Sequence, residues 1–215
     1  MQVLVFSDTH LTKKFEPKRY LFLKNLIQQA DRVVINGDFW EASLISLKEF
    51  TASPWKKLFP LLKAKKAIYL YGNHDHQQLA TNEIREFSLK QADHYQFKLG
   101  GRTYHIRHGD TLEEPHLFEN SYWLRYLYET LKNIYLKIGI RLFGEKFMRQ
   151  SKFFNNHIKN YYSEVRKQAI LVTGHSHSQV NEPQNNYINT GFINFGIAQY
   201  LLIDEQGFHL YSRRY

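Results

Sequence analysis

Short apolar runs that stop abruptly at glycine or a polar residue recur along the chain, and apolar positions at helical spacing fill the intervals between them. Residues 2–7, Val33 to Asn36, Ala67 to Tyr71 and Ala169 to Thr173 are such runs, rich in β-branched, leucine and aromatic residues, and each predicts a buried strand. Lys18 to Ala30 carries Tyr20, Leu21, Leu23, Leu26 and Ile27 at helical period, which predicts a helix covering a sheet. Glu41 to about Ala64 predicts two helices broken near Ser53-Pro54, and Glu83 to Leu89 predicts another. Tyr95 to Leu99 and Thr103 to Arg107 flank Gly100-Gly101 as the arms of a hairpin. A long helical region follows from about Phe118 to Lys167. Tyr187 to Asn189, Gln199 to Ile203 and Phe208 to Tyr211 are expected as closing strands. Strands alternating with helices predict an α/β protein.

The chemistry sits where the predicted strands end. Ser7-Asp8-Thr9-His10, Gly37-Asp38, Gly72-Asn73-His74-Asp75, His108-Gly109-Asp110 and Gly174-His175-Ser176-His177 each mark a passage from strand to loop. A single strand-end carboxylate is as often a helix cap as a functional group. Aligned parallel strands, however, bring such tips into one crevice, which is where open α/β sheets hold ligands. Two carboxylates, several imidazoles and one amide oxygen suit manganese, iron or zinc. Calcium demands more oxygen, and a structural zinc demands thiolates that a cysteine-free chain cannot supply.

Composition narrows the context. With 43% hydrophobic and 23% charged residues, the 215-residue chain is expected to be one globular domain. No apolar run approaches the ~20 residues a bilayer span requires. The first residues lack signal-peptide features, so a cytoplasmic location is expected. A net charge of +9 favours anionic partners. That charge is concentrated: ten basic against four acidic residues lie between Phe118 and Gln168, about two thirds of the excess.

Within this stretch Leu124, Leu127, Tyr128, Leu131, Ile134, Tyr135, Ile138 and Leu142 form one apolar stripe at helical period, opposite Arg125, Glu129, Lys132, Asn133 and Lys137. The stripe by itself favours packing on the core. Trp123, Tyr126, Leu136 and Ile140 fall outside it and leave more apolar surface than one packing face explains. The segment at about 118–168 is therefore read as a helical cap inserted in the domain, with a mixed basic and apolar surface that could hold an amphiphilic phosphate ester.

The ordered series Asp-Thr-His, Gly-Asp, Gly-Asn-His-Asp, His-Gly-Asp and Gly-His-Ser-His, spanning residues 8–177, resembles the calcineurin-like metallophosphoesterase family. The resemblance implies a four-layer α/β/β/α sandwich with two divalent metal ions, manganese first and iron or zinc as alternatives. It implies Asp8, His10 and His177 on one metal, Asn73, His108 and His175 on the other, and Asp38 bridging both. A metal-bridging hydroxide would attack phosphorus in line. His74 would stabilise the phosphate and protonate the leaving oxygen, with Asp75 orienting it. Substrate contacts are expected from Asn73, His74 and Trp40, and from Arg125 and Arg149 on the cap.

A helical cap in this position is similar to that of the UDP-2,3-diacylglucosamine diphosphatases, which act at the inner membrane surface. Asp8-Thr9-His10-Leu11, Gly37-Asp38-Phe39-Trp40-Glu41 and Tyr187-Ile188-Asn189-Thr190-Gly191 also resemble that group. His74 departs from it, since the group carries arginine there and histidine is the general phosphoesterase pattern. The expected substrate is a lipid-linked or nucleotide-linked pyrophosphate such as UDP-2,3-diacylglucosamine, with the anionic membrane as a peripheral partner. The alternatives are a general phosphodiesterase, a nuclease gripping nucleic acid with the basic cap, a phosphoprotein phosphatase, and a non-catalytic docking module.

Overall fold

A computed structural model of the chain describes residues 1–111 and 121–215. In chain order the elements are β1 (Val3–Phe6), α1 (Pro17–Gln29), β2 (Arg32–Asn36), α2 (Leu47–Ala52), α3 (Phe59–Ala64), β3 (Ile68–Leu70), β4 (Lys90–Ala92), β5 (His94–Leu99) and β6 (Arg102–Arg107). They continue with α4 (Tyr122–Phe143), α5 (Lys152–Tyr161), α6 (Ser163–Gln168), β7 (Ile170–Thr173), β8 (Val180–Glu182), β9 (Tyr187–Asn189), β10 (Ile193–Asn194), β11 (Ile197–Asp204) and β12 (Gly207–Arg214).

Among the described residues these strands form two mixed sheets. One runs β10-β11-β1-β2-β3-β4 with β12 also on β11, and the other runs β5-β6-β7-β9-β8. The sheets face each other through Val3, Val5, Val34, Ile68 and Leu70 on one side and Tyr104, Ile106, Val172 and Ile188 on the other. Alternate side chains of β1 and β2 point the opposite way, where Leu4, Phe6, Val33 and Ile35 meet Leu23, Ile27, Phe50 and Leu62 of α1, α2 and α3. Behind the second sheet, Ile158 and Tyr162 pack on Leu171 and Tyr187. The result is the α/β/β/α sandwich.

Strands β1, β2, β3 and β4 are parallel, and so are β6, β7 and β9. Register then decides where the chemistry lands. Phe6 pairs with Ile35 and Asn36 with Leu70, while Ile106 pairs with Val172 and Thr173 with Asn189. Every strand that carries a motif therefore ends at the same edge of the sandwich.

Some elements differ from the sequence expectation for local reasons. Helix α2 begins only at Leu47, because Ser46 and Glu49 form a reciprocal capping box that fixes the first turn there. Asn82–Glu86 is a single 3-10 segment rather than a helix reaching Leu89. Strands β4, β8 and β10 are two or three residues long, too short for their alternation to be read. The expected start of the cap near residue 118 lies outside the described residues.

The largest difference is the orientation of α4. The apolar stripe expected to pack on the core faces solvent: Leu142 is 69% exposed and Leu131 56%, while Glu129, opposite, is 8% and Ile140, outside the stripe, 4%. A small residue selects the packing face. Gly139 has no Cβ to collide with the ring of Phe147, which lies directly against the helix backbone. Leu136 and Ile140, on the same side, join Phe147, Met148, Phe192 and Ile197 in a local core. The broader stripe is left outward. No helix of the described residues is long and apolar enough to cross a membrane.

Candidate metal centre

The motif-bearing loops are held against one another by backbone hydrogen bonds. The N–H groups of Thr9 and His10 both donate to the Asp38 carbonyl at 2.9 Å, Leu11 N–H donates to the Phe39 carbonyl at 2.9 Å, and Asp8 N–H donates to the Gly37 carbonyl at 3.2 Å. This zipper turns the chain sharply. Asp8, His10, Asp38, His175 and His177 all take up left-handed φ values between 42° and 63°. Such conformations cost on the order of 1–3 kcal/mol each in non-glycine residues and persist where the surrounding structure over-determines them. Their concentration at five candidate ligands marks the strand ends as a functional site.

Asp8, His10, Asp38 and His177 place donor atoms that all lie within 4.8 Å of one another. His177 Nε2 is 3.0 Å from Asp8 Oδ1 and 3.1 Å from His10 Nε2. Beside this group, Asn73 Oδ1 is 3.1 Å from His108 Nε2 and 3.0 Å from His175 Nδ1. Asp38 joins the two: its Oδ2 is 3.6 Å from His10 Nε2 and 3.3 Å from His108 Nε2. The seven residues expected as ligands are thus one cluster in two halves with a carboxylate between them.

The donor set fits divalent cations. His108 Nδ1 donates to the Asn36 carbonyl at 2.8 Å, so its Nε2 is the nitrogen turned to the cluster. Asp8 Oδ1 is buried, and its near neighbour, His177 Nε2 at 3.0 Å, makes no well-directed hydrogen bond to it. One ring nitrogen of His177 crowded at 3.0–3.1 Å against both a buried carboxylate oxygen and the His10 ring nitrogen is the spacing of ligands around a common cation.

The electrostatics follow from packing acids and imidazoles together out of water. Burial alone would raise the carboxyl of Asp38, but His108, His74 and His10 hold it well below its ordinary value. Burial would likewise raise Asp8, and His177 and His108 bring it down. His108 is pushed well above its ordinary value: burial opposes the shift, and Asp38 and Asp8 outweigh it. Two ionised carboxylates ringed by imidazoles result.

Two expected roles need correction. Asp75 does not touch the His74 ring. Its carboxylate accepts the backbone N–H groups of Asp38 at 2.9 Å, Phe39 at 2.6 Å and Gly72 at 3.0 Å, so it clamps the loops that carry Asp38 and Asn73. Trp40 is not at the surface for a substrate either, because its ring is buried and stacked on Phe50 at 6.2 Å. The side chains of Arg125 and Arg149 lie outside the described residues.

The group on His74 is one that the motif reading passes over. Glu41, buried, receives His74 Nδ1 at 2.7 Å on Oε1 and His10 Nδ1 at 2.9 Å on Oε2. Donor atoms of His10, Glu41 and His74 also lie within 4.8 Å of one another. At these separations the trio is hydrogen-bonded rather than a further cation cage. The available signal was an acid inside Phe39-Trp40-Glu41-Ala42, since a carboxylate in an apolar run is buried only with partners.

The cap meets the cluster at its rim. The Phe154 ring lies 6.4 Å from that of His175, and Phe192, packed under α4, lies 5.9 Å from His177. Lys132, on the inward side of α4, acts electrostatically on His74. Buried Asn155 of α5 accepts from Ser176 Oγ at 3.1 Å and from Tyr187 Oη at 2.6 Å, which ties the cap to the loop bearing His175 and His177.

One glycine shows how little slack the cluster has. A Cβ on Gly72 would collide with the carboxylate and the amide of Asp38, although the backbone there is compatible with any residue. Gly72→Ala is expected to lower hydrolysis at least ~100-fold, the usual cost of a 1 Å misplacement at a reacting centre. Destabilisation should stay at about 1–3 kcal/mol. Steady-state kinetics and thermal melts of the purified variant check both.

Comparison with known proteins places this geometry. A family model described as calcineurin-like phosphoesterase matches residues 1–187. No curated protein sequence is matched. Among solved structures, Vps29 from Entamoeba histolytica complexed with zinc is similar at a TM-score of 0.52 and 15% identity, over 99% of this chain and 91% of that one. An archaeal phosphodiesterase gives 0.49 and 16% over 99% of both chains. The Escherichia coli phosphoesterase YfcE gives 0.46 and 18% over 95% of this chain and 88% of that one.

Proposed function

The chain belongs to the calcineurin-like phosphoesterase family and is a metal-dependent phosphoesterase, and from that premise we propose that it uses a dinuclear centre to cleave a lipid-linked or nucleotide-linked pyrophosphate at an anionic membrane surface. Asp8, His10 and His177 would hold one ion, Asn73, His108 and His175 the other, and Asp38 both, with manganese the first choice. Bound there, divalent cations neutralise phosphate charge and make a nucleophilic water available near neutral pH. The chain's own residues supply position and protons. Asp75 holds the two ligand loops in register through their amides. His74, beside the cluster and charged by its carboxylate neighbours, is placed to stabilise the phosphate and return a proton to the leaving oxygen.

The observation that supports the substrate class is α4. Its polar side, with Glu129 and Lys132, turns inward, and its apolar side, with Trp123, Leu127, Leu131, Ile134 and Ile138, turns outward. Basic groups gather at the end of this helix: Phe143 shares a recess with Lys146, Arg213 and Arg214. A helix that is apolar outward and flanked by cations suits an anionic bilayer interface. Each of those side chains gains about 1.5–3 kcal/mol when fully buried, so a few immersed together suffice for reversible attachment.

The expected result is that a diacylated nucleotide-sugar pyrophosphate in phosphatidylglycerol vesicles is turned over at least ~100-fold faster than its deacylated analogue. Leu127→Asp with Ile134→Asp should remove most of that advantage. Hydrolysis of soluble bis(p-nitrophenyl) phosphate should be unchanged by the pair. Equal turnover of the two pyrophosphates would overturn the lipid reading. Single-stranded DNA hydrolysed with a steep salt dependence would favour the nuclease instead.

A further inference from the structure

Glu41 stands three residues beyond Asp38 in a loop with no freedom of its own. Its backbone N–H donates to the Leu11 carbonyl at 2.9 Å, and Leu11 and Trp40 pair as an isolated parallel bridge. The loop bearing Glu41 is thereby fastened to the loop bearing Asp8 and His10. Glu41 is 2% exposed, and its two oxygens are shared between two rings: Oε2 takes His10 Nδ1 at 2.9 Å and Oε1 takes His74 Nδ1 at 2.7 Å. Ser43 closes the remaining side by donating its hydroxyl to Oε1.

A carboxylate only accepts, so both rings must present an N–H at Nδ1. That fixes the face each shows to the cluster. His10 Nε2 is left 3.1 Å from His177 Nε2 and 3.6 Å from Asp38 Oδ2, and the two rings on Glu41 meet edge to face with centroids 4.7 Å apart. His10 lies on one strand end and His74 on another, and among the described residues no other carboxylate is hydrogen-bonded to both rings.

We propose that Glu41 is a positioning residue that orients a metal-ligating ring and the phosphate-side ring together, by holding His10 and His74 in the Nδ1–H form on the two oxygens of one buried carboxylate. The proposal rests on the reading of His10 as a ligand. It goes beyond that reading by assigning the group that keeps the two halves of the reaction in fixed relation. Carboxylates behind ligating histidines commonly matter nearly as much as the ligands. Here the same carboxylate also serves a ring that is not a ligand, so a single substitution should perturb metal binding and turnover at once.

Glu41→Gln is the sharpest test. Its amide oxygen can accept from one ring, but its NH2 confronts the N–H of the other, so one ring must turn or change tautomer. Long-range 1H–15N correlation spectra of the chelated, metal-free wild type should show His10 with its proton on Nδ1. In Glu41→Gln either His10 should change tautomer or the Nδ1–H signal of His74 should shift as that ring loses its carboxylate partner. By calorimetry the variant should bind the first manganese about 10–100-fold more weakly. At saturating metal, kcat should fall while KM moves little. Glu41→Asp, which keeps the charge but retreats by one methylene, should recover part of each effect.

A wild-type spectrum with the His10 proton on Nε2 overturns the proposal without any variant, and so covers the case in which Glu41→Gln does not fold. An unchanged tautomer pattern and an unshifted His74 Nδ1–H signal, with unchanged manganese affinity in a folded Glu41→Gln, overturn it as well. Failure of the metal-centre reading looks different: the wild type would then bind no manganese at all, while the two rings would keep their Nδ1–H form.

Discussion

Asp38→Asn is expected to lower metal-dependent hydrolysis of bis(p-nitrophenyl) phosphate by at least ~10⁴-fold, about 5 kcal/mol of barrier, while the protein stays folded. The two halves of that expectation have separate physical grounds. Activity should collapse because Oδ2 is the atom that faces both halves of the cluster, 3.6 Å from His10 Nε2 and 3.3 Å from His108 Nε2. Asparagine puts either a neutral oxygen or an NH2 donor there, and neither can serve two cations. The fold should survive because the substitution is isosteric and the backbone at position 38, at φ 52°, is one that asparagine tolerates as readily as aspartate. The remaining bonds persist as well: Asp38 N–H still donates to Asp75, and a side-chain oxygen can still accept His74 N–H at 3.0 Å. Elemental analysis should find less than the wild-type metal content, and circular dichroism should be unchanged. Substantial manganese-dependent turnover in a pure, folded Asp38→Asn sample would sink the dinuclear reading.

The part of this architecture that could be read from the chain is the part governed by local rules. An apolar run cut by Gly37 places Asp38 at a strand tip, and parallel pairing brings the tips of β1, β2, β3, β6 and β7 to one edge, so the gathering of Asp8, Asp38, Asn73, His108 and His175 follows from five local observations. What escapes local rules is the choice of partner. Asp75 follows His74 directly, yet its carboxylate turns to three amides near 3 Å, and the acid on the His74 ring comes from 33 residues away. Trp40 stands next to Phe39 in a motif, and only the packing of α2 shows that its ring belongs to the core. Helix α4 makes the same point for surfaces. Periodicity finds its apolar stripe correctly, but period alone does not say which side the core lies on. A glycine beneath one phenylalanine ring decides that. The left-handed backbone at Asp8, His10 and Asp38 is likewise invisible to pattern, being imposed by hydrogen bonds between loops distant in sequence.

His74→Gln should slow hydrolysis about 10²–10³-fold for diesters with alkoxide leaving groups and clearly less for p-nitrophenolate, which needs little help to depart. The reason lies in how the ring is charged. Burial alone would lower its pKa, but Glu41 on Nδ1 and the Asp38 carboxylate outweigh burial and push it up to about 10. The ring therefore carries its proton through the neutral range, as a group that stabilises a phosphate and then donates must. The same shift is a statement about stability. A histidine raised in the folded state contributes fully below its ordinary value near 6.5, and that contribution is lost as pH rises through about 10. Glu41 is the mirror case: burial would raise it, His74 and His10 hold it well below its ordinary value, and its contribution stands above about pH 4.5 and fails in acid. Metal-free protein in chelator should thus lose stability between pH 7 and 10.5, by ~2–4 kcal/mol at one pKa unit per ~1.4 kcal/mol. His74→Gln should remove the His74 share of that alkaline arm, leaving the share of His108, and should weaken the acid arm as well, since Glu41 then keeps only His10. Thermal melts across this range, paired with a leaving-group series, test both consequences of one charged ring. A His74→Gln variant that loses the same factor on every leaving group and melts like the wild type in alkali would strip His74 of the proton-donating role.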